Sequence, residues 1–241
     1  MPKKDKKTKS KARKRARQEE LRQENERQVR VKLANYEQDG SVKDTLKDFL
    51  PFQNFTRNGL NLNITFGAGQ TVPKDVSWEM FCVLKENMED MYISNGWGWK
   101  NSEKRKEHTD EMARFLIAKG DDGSILGFTH FRFLLEGAYE VLYIYELQVA
   151  AAGRRHGLGK HMMQICELMA RKNAMKKVML TVFKANVGAM KFYTKKMKYQ
   201  IDEISPSLSD DDFSQTYEIL SKIVCPELKK RKTLLTPKSS P

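Results

Sequence analysis

Two groups of residues in this 241-residue chain have types and spacing suited to chemistry. The first is a carboxylate, Glu146, in the largely apolar and aromatic run Val141-Leu142-Tyr143-Ile144-Tyr145-Glu146-Leu147-Gln148-Val149. A buried carboxylate without a partner is costly, so Glu146 is either satisfied by a neighbouring Arg or Lys or held with a raised pKa that suits a general base. The second is Arg154-Arg155-His156-Gly157-Leu158-Gly159-Lys160. Two glycines one residue apart let a backbone approach a ligand, and the free N–H groups of a helix start form an anion site that suits a phosphate-bearing cofactor. A tight strand-to-helix connection explains the same pattern. Counting removes two nucleotide motifs. Walker A requires Gly where Arg154 stands and Ser or Thr where His161 stands, and the dinucleotide fingerprint requires Gly where Met162 stands.

The other candidates are weaker. His108, His130, His156 and His161 have no metal-ligand spacing with one another or with Cys82, Cys166 and Cys225, so no metal is expected. Cys166 falls on an apolar helix face and reads as a core thiol. Trp97 and Trp99 read by default as core or rim aromatics, and Asp210-Asp211-Asp212 as a solvated loop that could also guide a cationic tail.

The elements that must position these residues follow from periodicity. Residues 3–32 are rich in Lys, Arg, Glu and Gln, helix-prone but without an apolar face. Ser41-x-x-Asp44 precedes a short helix expected to end before Pro51. Residues 59–66 alternate as a half-buried strand, and residues 75–94 carry Val76, Met80, Leu84, Met88 and Met91 at helical spacing, with Asp75 as N-cap. An aromatic loop over residues 95–99 leads into a charged helical segment reaching about Thr109. Residues 114–119 and 125–135 form a hairpin, and residues 139–149 a central strand. A helix after Gly159 has Leu158, Met162, Ile165, Cys166 and Met169 on one face. A buried strand (177–183), a helix (187–197) and two closing strands (199–204 and 216–220) complete a mixed α/β (α+β) sheet.

Charge is distributed unevenly. The net +13 divides into +9 over residues 1–32, +5 over residues 229–241 and −1 for the body between them. A nucleic-acid-binding domain would carry its own basic face, whereas here the arms are polycationic. Lys11-Ala12-Arg13-Lys14-Arg15-Ala16-Arg17 reads as a nuclear-import or polyanion-binding patch, or as a solvated arm. No apolar window is long enough for a membrane span, no secretory signal opens the chain, and three scattered cysteines fit a reducing compartment. Nucleus and cytoplasm are the expected locations.

Arg154-x-x-Gly157-x-Gly159 at a strand-to-helix junction resembles the pyrophosphate motif of the GCN5-related N-acetyltransferase superfamily. The run Thr181-Val182-Phe183-Lys184-Ala185-Asn186-x-x-Ala189-x-x-Phe192-Tyr193 is similar to the segment that follows in that family. Several stretches narrow the resemblance to the histone-selective N-terminal acetyltransferase D subfamily, from about Phe55 to Ser221. They are Asn95-Gly96-Trp97-Gly98-Trp99-Lys100, Thr129-His130-Phe131-Arg132-Phe133, Glu140-Val141-Leu142-Tyr143-x-Tyr145-Glu146, Lys176-Lys177-Val178-Met179-Leu180 and Ser205-Pro206-Ser207.

The resemblance implies a basic helical arm (1–33), a helical lead-in (34–54), an acetyltransferase domain (55–223) and a basic tail (224–241). It places the pantetheine of acetyl-CoA along Gln148, Val149 and Ala150. The pyrophosphate falls on the amides of Arg155, His156, Gly157, Leu158, Gly159 and Lys160, with Thr181 and Asn186 also touching the cofactor. Tyr92, Trp97, Tyr143, Tyr145 and Tyr217 would line the substrate pocket, with Glu146 as general base and Tyr145 as the second catalytic position. The subfamily has Asp after Phe-Arg-Phe where this chain has Leu134, and Glu136, on the same strand face, is the residue that could substitute. Strict pleating would put Tyr143 and Tyr145 opposite Glu146, so one shared pocket requires a bulge near Glu146. Tyr193 is expected to pack rather than act as an acid.

The implied activity is acetyl transfer from acetyl-CoA to the α-amino group of proteins, with the Ser-Gly-Arg-Gly tails of histones H-4 and H-2A as partners. The chain would act as a monomer, without metal or membrane. The ribosome or a nucleic acid could engage the basic arms. The alternatives are a lysine or small-amine acetyltransferase on the same fold, or a non-catalytic chromatin or ribosome-binding module.

Overall fold

The computed structural model describes residues 3–209, 214–226 and 228. The Asp210-Asp211-Asp212 triplet and the basic run from Lys229 lie outside them. Helix α1 (Lys3–Asn35) forms because its unbranched side chains lose little freedom in a helix, and Glu19–Arg22 and Glu24–Arg27 pair one turn apart at 2.8 and 2.6 Å. Residues 12–23 are exposed. The last turns dock: Ala34 is buried, Asn35 Nδ2 donates to the Phe133 carbonyl at 3.0 Å, and Arg30 pairs with the buried Glu140.

An eight-stranded mixed sheet follows. Its strands are β1 (Asn54–Arg57), β2 (Leu60–Ala68), β3 (Arg114–Gly120), β4 (Ile125–Glu136), β5 (Tyr139–Val149), β6 (Lys177–Phe183), β7 (Gln200–Ile201) and β8 (Tyr217–Ile223), in the order β1-β2-β3-β4-β5-β6-β8-β7. Among the described residues only β5 and β6 run parallel, and the expected mixed α/β class holds. Helices α2 (Lys74–Ser94) and α3 (Asn101–His108) cover one face, where Val76, Met80 and Leu84 pack on Phe115, Ile117 and Phe128. Helix α4 (Leu158–Lys172) covers the other face, burying Leu158, Met162, Ile165, Cys166 and Met169 as its periodicity requires.

Several local expectations are corrected. Strand β1 precedes β2 in a hairpin whose Asn58-Gly59 turn has φ of 53° and 83°, the left-handed pair that two-residue hairpins favour. The lead-in turn (Lys47–Phe52) runs through Pro51 because it is kinked at Phe49, so the proline starts a fresh turn and needs no N–H partner. Pro73, not Asp75, is the N-cap residue of α2, and Asp75 lies in its first turn. Helix α4 begins at Leu158, which puts Gly159 inside it. The helix expected over 187–197 divides into α5 (Val187–Lys191) and a π-helical turn (Phe192–Lys196). The closing strands are a two-residue β7 and a longer β8. A short α6 (Pro206–Ser209) separates them.

Candidate active site

The site is made by two irregularities of β5. The first is a bulge. Register with β4 runs Gly127↔Val149 to His130↔Glu146 and resumes at Phe131↔Ile144, leaving Tyr145 as the extra residue. The apolar pattern explains it. Leu142 and Ile144 pack into the α4-side core, and so do Leu147 and Val149, a change of phase by one. Unbroken pleating would drive Glu146 and Gln148 into that core and expel two aliphatic side chains. The bulge turns Glu146 to the same face as Tyr143 and Tyr145, as the shared pocket required.

The second irregularity is a parting of strands. Strand β5 pairs with β6 only from Val141↔Lys177 to Ile144↔Leu180, after which β6 continues on β8 and β5 on β4. A cavity of about 390 Å³ opens there under α2 and α3. Tyr92, Trp97, Tyr143, Tyr145, Glu146 and Thr181 line it, joined by Lys104, Glu107, Glu136 and Ile144. The structure thus brings together four of the five aromatic residues expected there. Tyr217 stands behind Trp97, ring to ring at 5.4 Å. Glu136 lines the cavity and Leu134 does not. A wider groove of about 530 Å³ beside Trp78 and Cys82 is shallow and carries no comparable group of base and tyrosines.

Glu146 is almost wholly buried, and burial pushes its carboxyl from 4.5 up to about 7, against the lowering influence of Lys104, Gln148 and Tyr92. Gln148 Nε2 donates to Oε2 at 2.7 Å and the Tyr92 hydroxyl reaches Oε1 at 3.5 Å. Gln148 is held in turn by Asn87, whose Nδ2 donates to Gln148 Oε1 at 2.9 Å. Burial also pushes Tyr92 and Tyr143 up to about 12, so both remain protonated donors; the Tyr143 hydroxyl bonds Thr181 Oγ1 at 2.6 Å. Tyr145 is clamped between His130, stacked at 5.0 Å, and the Arg132 guanidinium at 4.5 Å. Burial holds His130 well below the ordinary imidazole range, hence neutral. Tyr193 is buried against Phe192 and Tyr199, in keeping with packing.

The glycine turn lies beside the open edge of β5. Gly157 has φ of +93° and caps α4, while Arg155 is left-handed at 68°. A Cβ on Gly159 would meet Leu147, Val149 and Phe192 only at ordinary contact distance, so the conformational demand for glycine falls on 157. His156 and Asn58 exchange bonds: Nδ1–H donates to the Asn58 carbonyl at 2.8 Å and Asn58 Nδ2 to the His156 carbonyl at 3.1 Å. Along β5, the Ala150 amide donates to the Leu126 carbonyl, and the Val149 carbonyl accepts from Asn87 and Arg154. Asn186 accepts the Ala189 amide at 3.0 Å and so caps α5. These groups ring a strand edge and a helix start that fit an extended ligand ending in phosphates.

Sequence reasoning missed Lys104, Glu107, Asn87 and the side chain of Gln148. Lys104 and Glu107 sit in a charged stretch that looks like any solvated helix face. Phase counting along β5 would have singled out Gln148 with Glu146. Among the described residues no His, Cys, Asp and Glu group is arranged to hold a metal, and no helix is long and apolar enough to cross a membrane.

The model of the acetyltransferase (GNAT) family matches residues 78–199, half of the chain. Among solved structures, GCN5 of Tetrahymena is similar at a TM-score of 0.51 and 13% identity, over 69% of this chain and 98% of that one. Ard1 from Thermoplasma volcanium matches at 0.49 and 19%, over 67% and 98%. Arabidopsis thaliana Naa50, in complex with the bisubstrate analogue CoA-Ac-MVNAL, matches at 0.44 and 19%, over 66% and 97%.

Proposed function

Because the chain belongs to the acetyltransferase (GNAT) family, whose members use acetyl-CoA, we propose that it transfers acetyl to the α-amino group of proteins, histone H-4 and H-2A tails beginning Ser-Gly-Arg-Gly foremost. The observation that carries the reading is the Tyr145 bulge, which sets a buried carboxylate titrating at about 7 among three tyrosines and Trp97 in a cavity of about 390 Å³. An α-amino group of pKa near 7.7–8.0 loses its proton far more readily than a lysine near 10.4, so a base of this strength is matched to the former.

When bound, acetyl-CoA supplies a thioester as acyl donor. The chain's own residues do the rest. Glu146 accepts the proton of the attacking amine at its carboxylate, directly or through one water, and Gln148 and Tyr92 keep that carboxylate oriented. Tyr92, Trp97 and Tyr143 exclude water around the terminal residue, and Glu107 and Glu136 offer acidic contacts to a cationic tail. The start of α4, with its left-handed Gly157, suits the pyrophosphate. The exposed basic part of α1 supports engagement of a polyanion, nucleic acid or ribosome, and presence in both nucleus and cytoplasm.

Mass spectrometry of a Ser-Gly-Arg-Gly-Lys peptide incubated with the protein and acetyl-CoA tests the reading. Acetyl on the N-terminal nitrogen is expected. Lysine acetylation with an untouched N-terminus would overturn it in favour of a lysine acetyltransferase.

A further inference from the structure

Lys104 is the cation that the site does not obviously need. It projects from α3 into the cavity, its side chain only 14% exposed, in a pocket meant to receive an amine. A second positive charge there repels a protonated substrate, so its presence calls for a reason. Its contacts supply one. Nζ donates to the Tyr92 hydroxyl at 3.1 Å, and that hydroxyl faces Glu146 Oε1 at 3.5 Å, forming a relay of ammonium, phenol and carboxylate. The ammonium also lies 4.4 Å from the Tyr92 ring centre and is anchored by Glu107 at 3.1 and 3.2 Å.

We infer that Lys104 is a positioning residue which, through Tyr92, keeps Glu146 ionised at neutral pH and biases the pocket toward the neutral amine. The inference rests on Glu146 being the base. All elements around that carboxylate enter the balance. Strand β5 gives Gln148 and Tyr145, β4 the neutral His130 paired across from it, α2 gives Tyr92, and α3 gives Lys104 and Glu107. Tyr193 of the π-helical turn also feels its charge, and Glu136 lines the same cavity. Lys104 is thus the cation that opposes burial and the further carboxylate of Glu107, while Arg132 of β4 lies over the Tyr145 ring at 4.5 Å. Burial pulls the Lys104 ammonium down, but Glu146, Tyr92 and Glu107 raise it overall, so it stays charged while Glu146 titrates. The step would balance: the amine nitrogen bonds the acetyl carbon as the thioester C–S bond breaks, coenzyme A leaves as its thiolate, the amine's proton moves to Glu146, and no proton need leave Lys104.

The two α3 charges make opposite predictions. In Lys104→Met the acidic limb of kcat/KM against pH should move up by about one pH unit, a loss of roughly fivefold at pH 7 that disappears near pH 9, with the KM for acetyl-CoA unchanged. Lys104→Arg should restore most of the wild-type profile. Glu107→Gln, at a half-exposed position that threatens the fold less, should move the limb down. The assay uses the full chain, the Ser-Gly-Arg-Gly-Lys peptide and acetyl-CoA from pH 5.5 to 9.5. Glu146→Gln is the reference, because it removes the share of the limb that belongs to the enzyme's base and leaves only the share set by the peptide's α-amino group, near 7.7–8.0. A Glu146→Gln profile with the same limb as the parent overturns the base reading itself. A limb that reduces to the amine's share there but stays in place in both α3 variants overturns the role of Lys104 alone.

Discussion

Replacing Glu146 by Gln should cost activity and gain stability, and the two changes follow different pH laws. Burial raises this carboxyl from 4.5 to about 7, so the folded state binds more protons than the unfolded chain between those values. Stability contributed by the protonated group is therefore complete below about pH 4.5 and is lost as pH rises through 7. At pH 8 the buried carboxylate costs the fold about 3 kcal/mol. Gln keeps the volume, cannot ionise, and can turn its carbonyl oxygen to the Gln148 amide that now donates at 2.7 Å. The variant should gain up to that amount at pH 8, about 6–12 °C in Tm for a chain of this size, and almost nothing at pH 5. Its turnover on the peptide should fall at least about a hundredfold, the usual scale for losing a general base. Thermal unfolding of both proteins at pH 5 and pH 8, with turnover at pH 8, is the assay. A Tm at pH 8 equal to or below that of the parent would show that Glu146 is comfortably ionised in the fold. Turnover within tenfold of the parent would remove it from the chemistry.

Three further expectations concern binding and architecture. Gly157→Ala forces a Cβ into φ of +93° and should cost about 1–2 kcal/mol of stability and raise the KM for acetyl-CoA, whereas Gly159→Ala, whose Cβ finds ordinary contacts, should fold as well as the parent; equal stability losses, read by urea unfolding, would contradict this. Trp97 is half exposed and meets Phe183, Tyr92 and Tyr217 edge to face at 4.9, 5.9 and 5.4 Å, so Trp97→Ala should raise the peptide KM about tenfold or more while the acetyl-CoA KM stays put, and steady-state kinetics with each substrate varied decides it. Deleting residues 1–18 should spare peptide acetylation and weaken salt-sensitive polyanion binding, while deleting residues 1–38 strips the buried Glu140 of Arg30 and removes Ala34 and Asn35, costing on the order of 2–4 kcal/mol; equal losses of peptide activity in both would show the exposed part of α1 to be structural.

The sequence by itself determined the elements whose signal is local. The α4 face of Leu158, Met162, Ile165, Cys166 and Met169, the β3–β4 hairpin and the near-continuous β5 all follow from periodicity, since burial selects side chains at fixed spacing. The Arg154-to-Lys160 turn was equally legible as residue types with a chemical use, whereas the tyrosines of β5 became candidates only through the resemblance of their run to an acetyltransferase subfamily. The short β1 and the proline-containing lead-in turn were not, because four residues and a kinked turn carry too little pattern to oppose local propensity.

Tertiary structure alone decided which residues share a pocket. One extra residue at Tyr145 exchanges the faces of everything after it, and the reason is non-local: the core under α4 accepts Leu147 and Val149 and rejects Glu146 and Gln148. The same holds for Lys104, which is more than forty positions from Glu146 and becomes its electrostatic neighbour only because α2 and α3 fold over the gap where β5 and β6 part. A pKa is set by burial and by charges a few ångströms away, and neither quantity exists until the chain has folded.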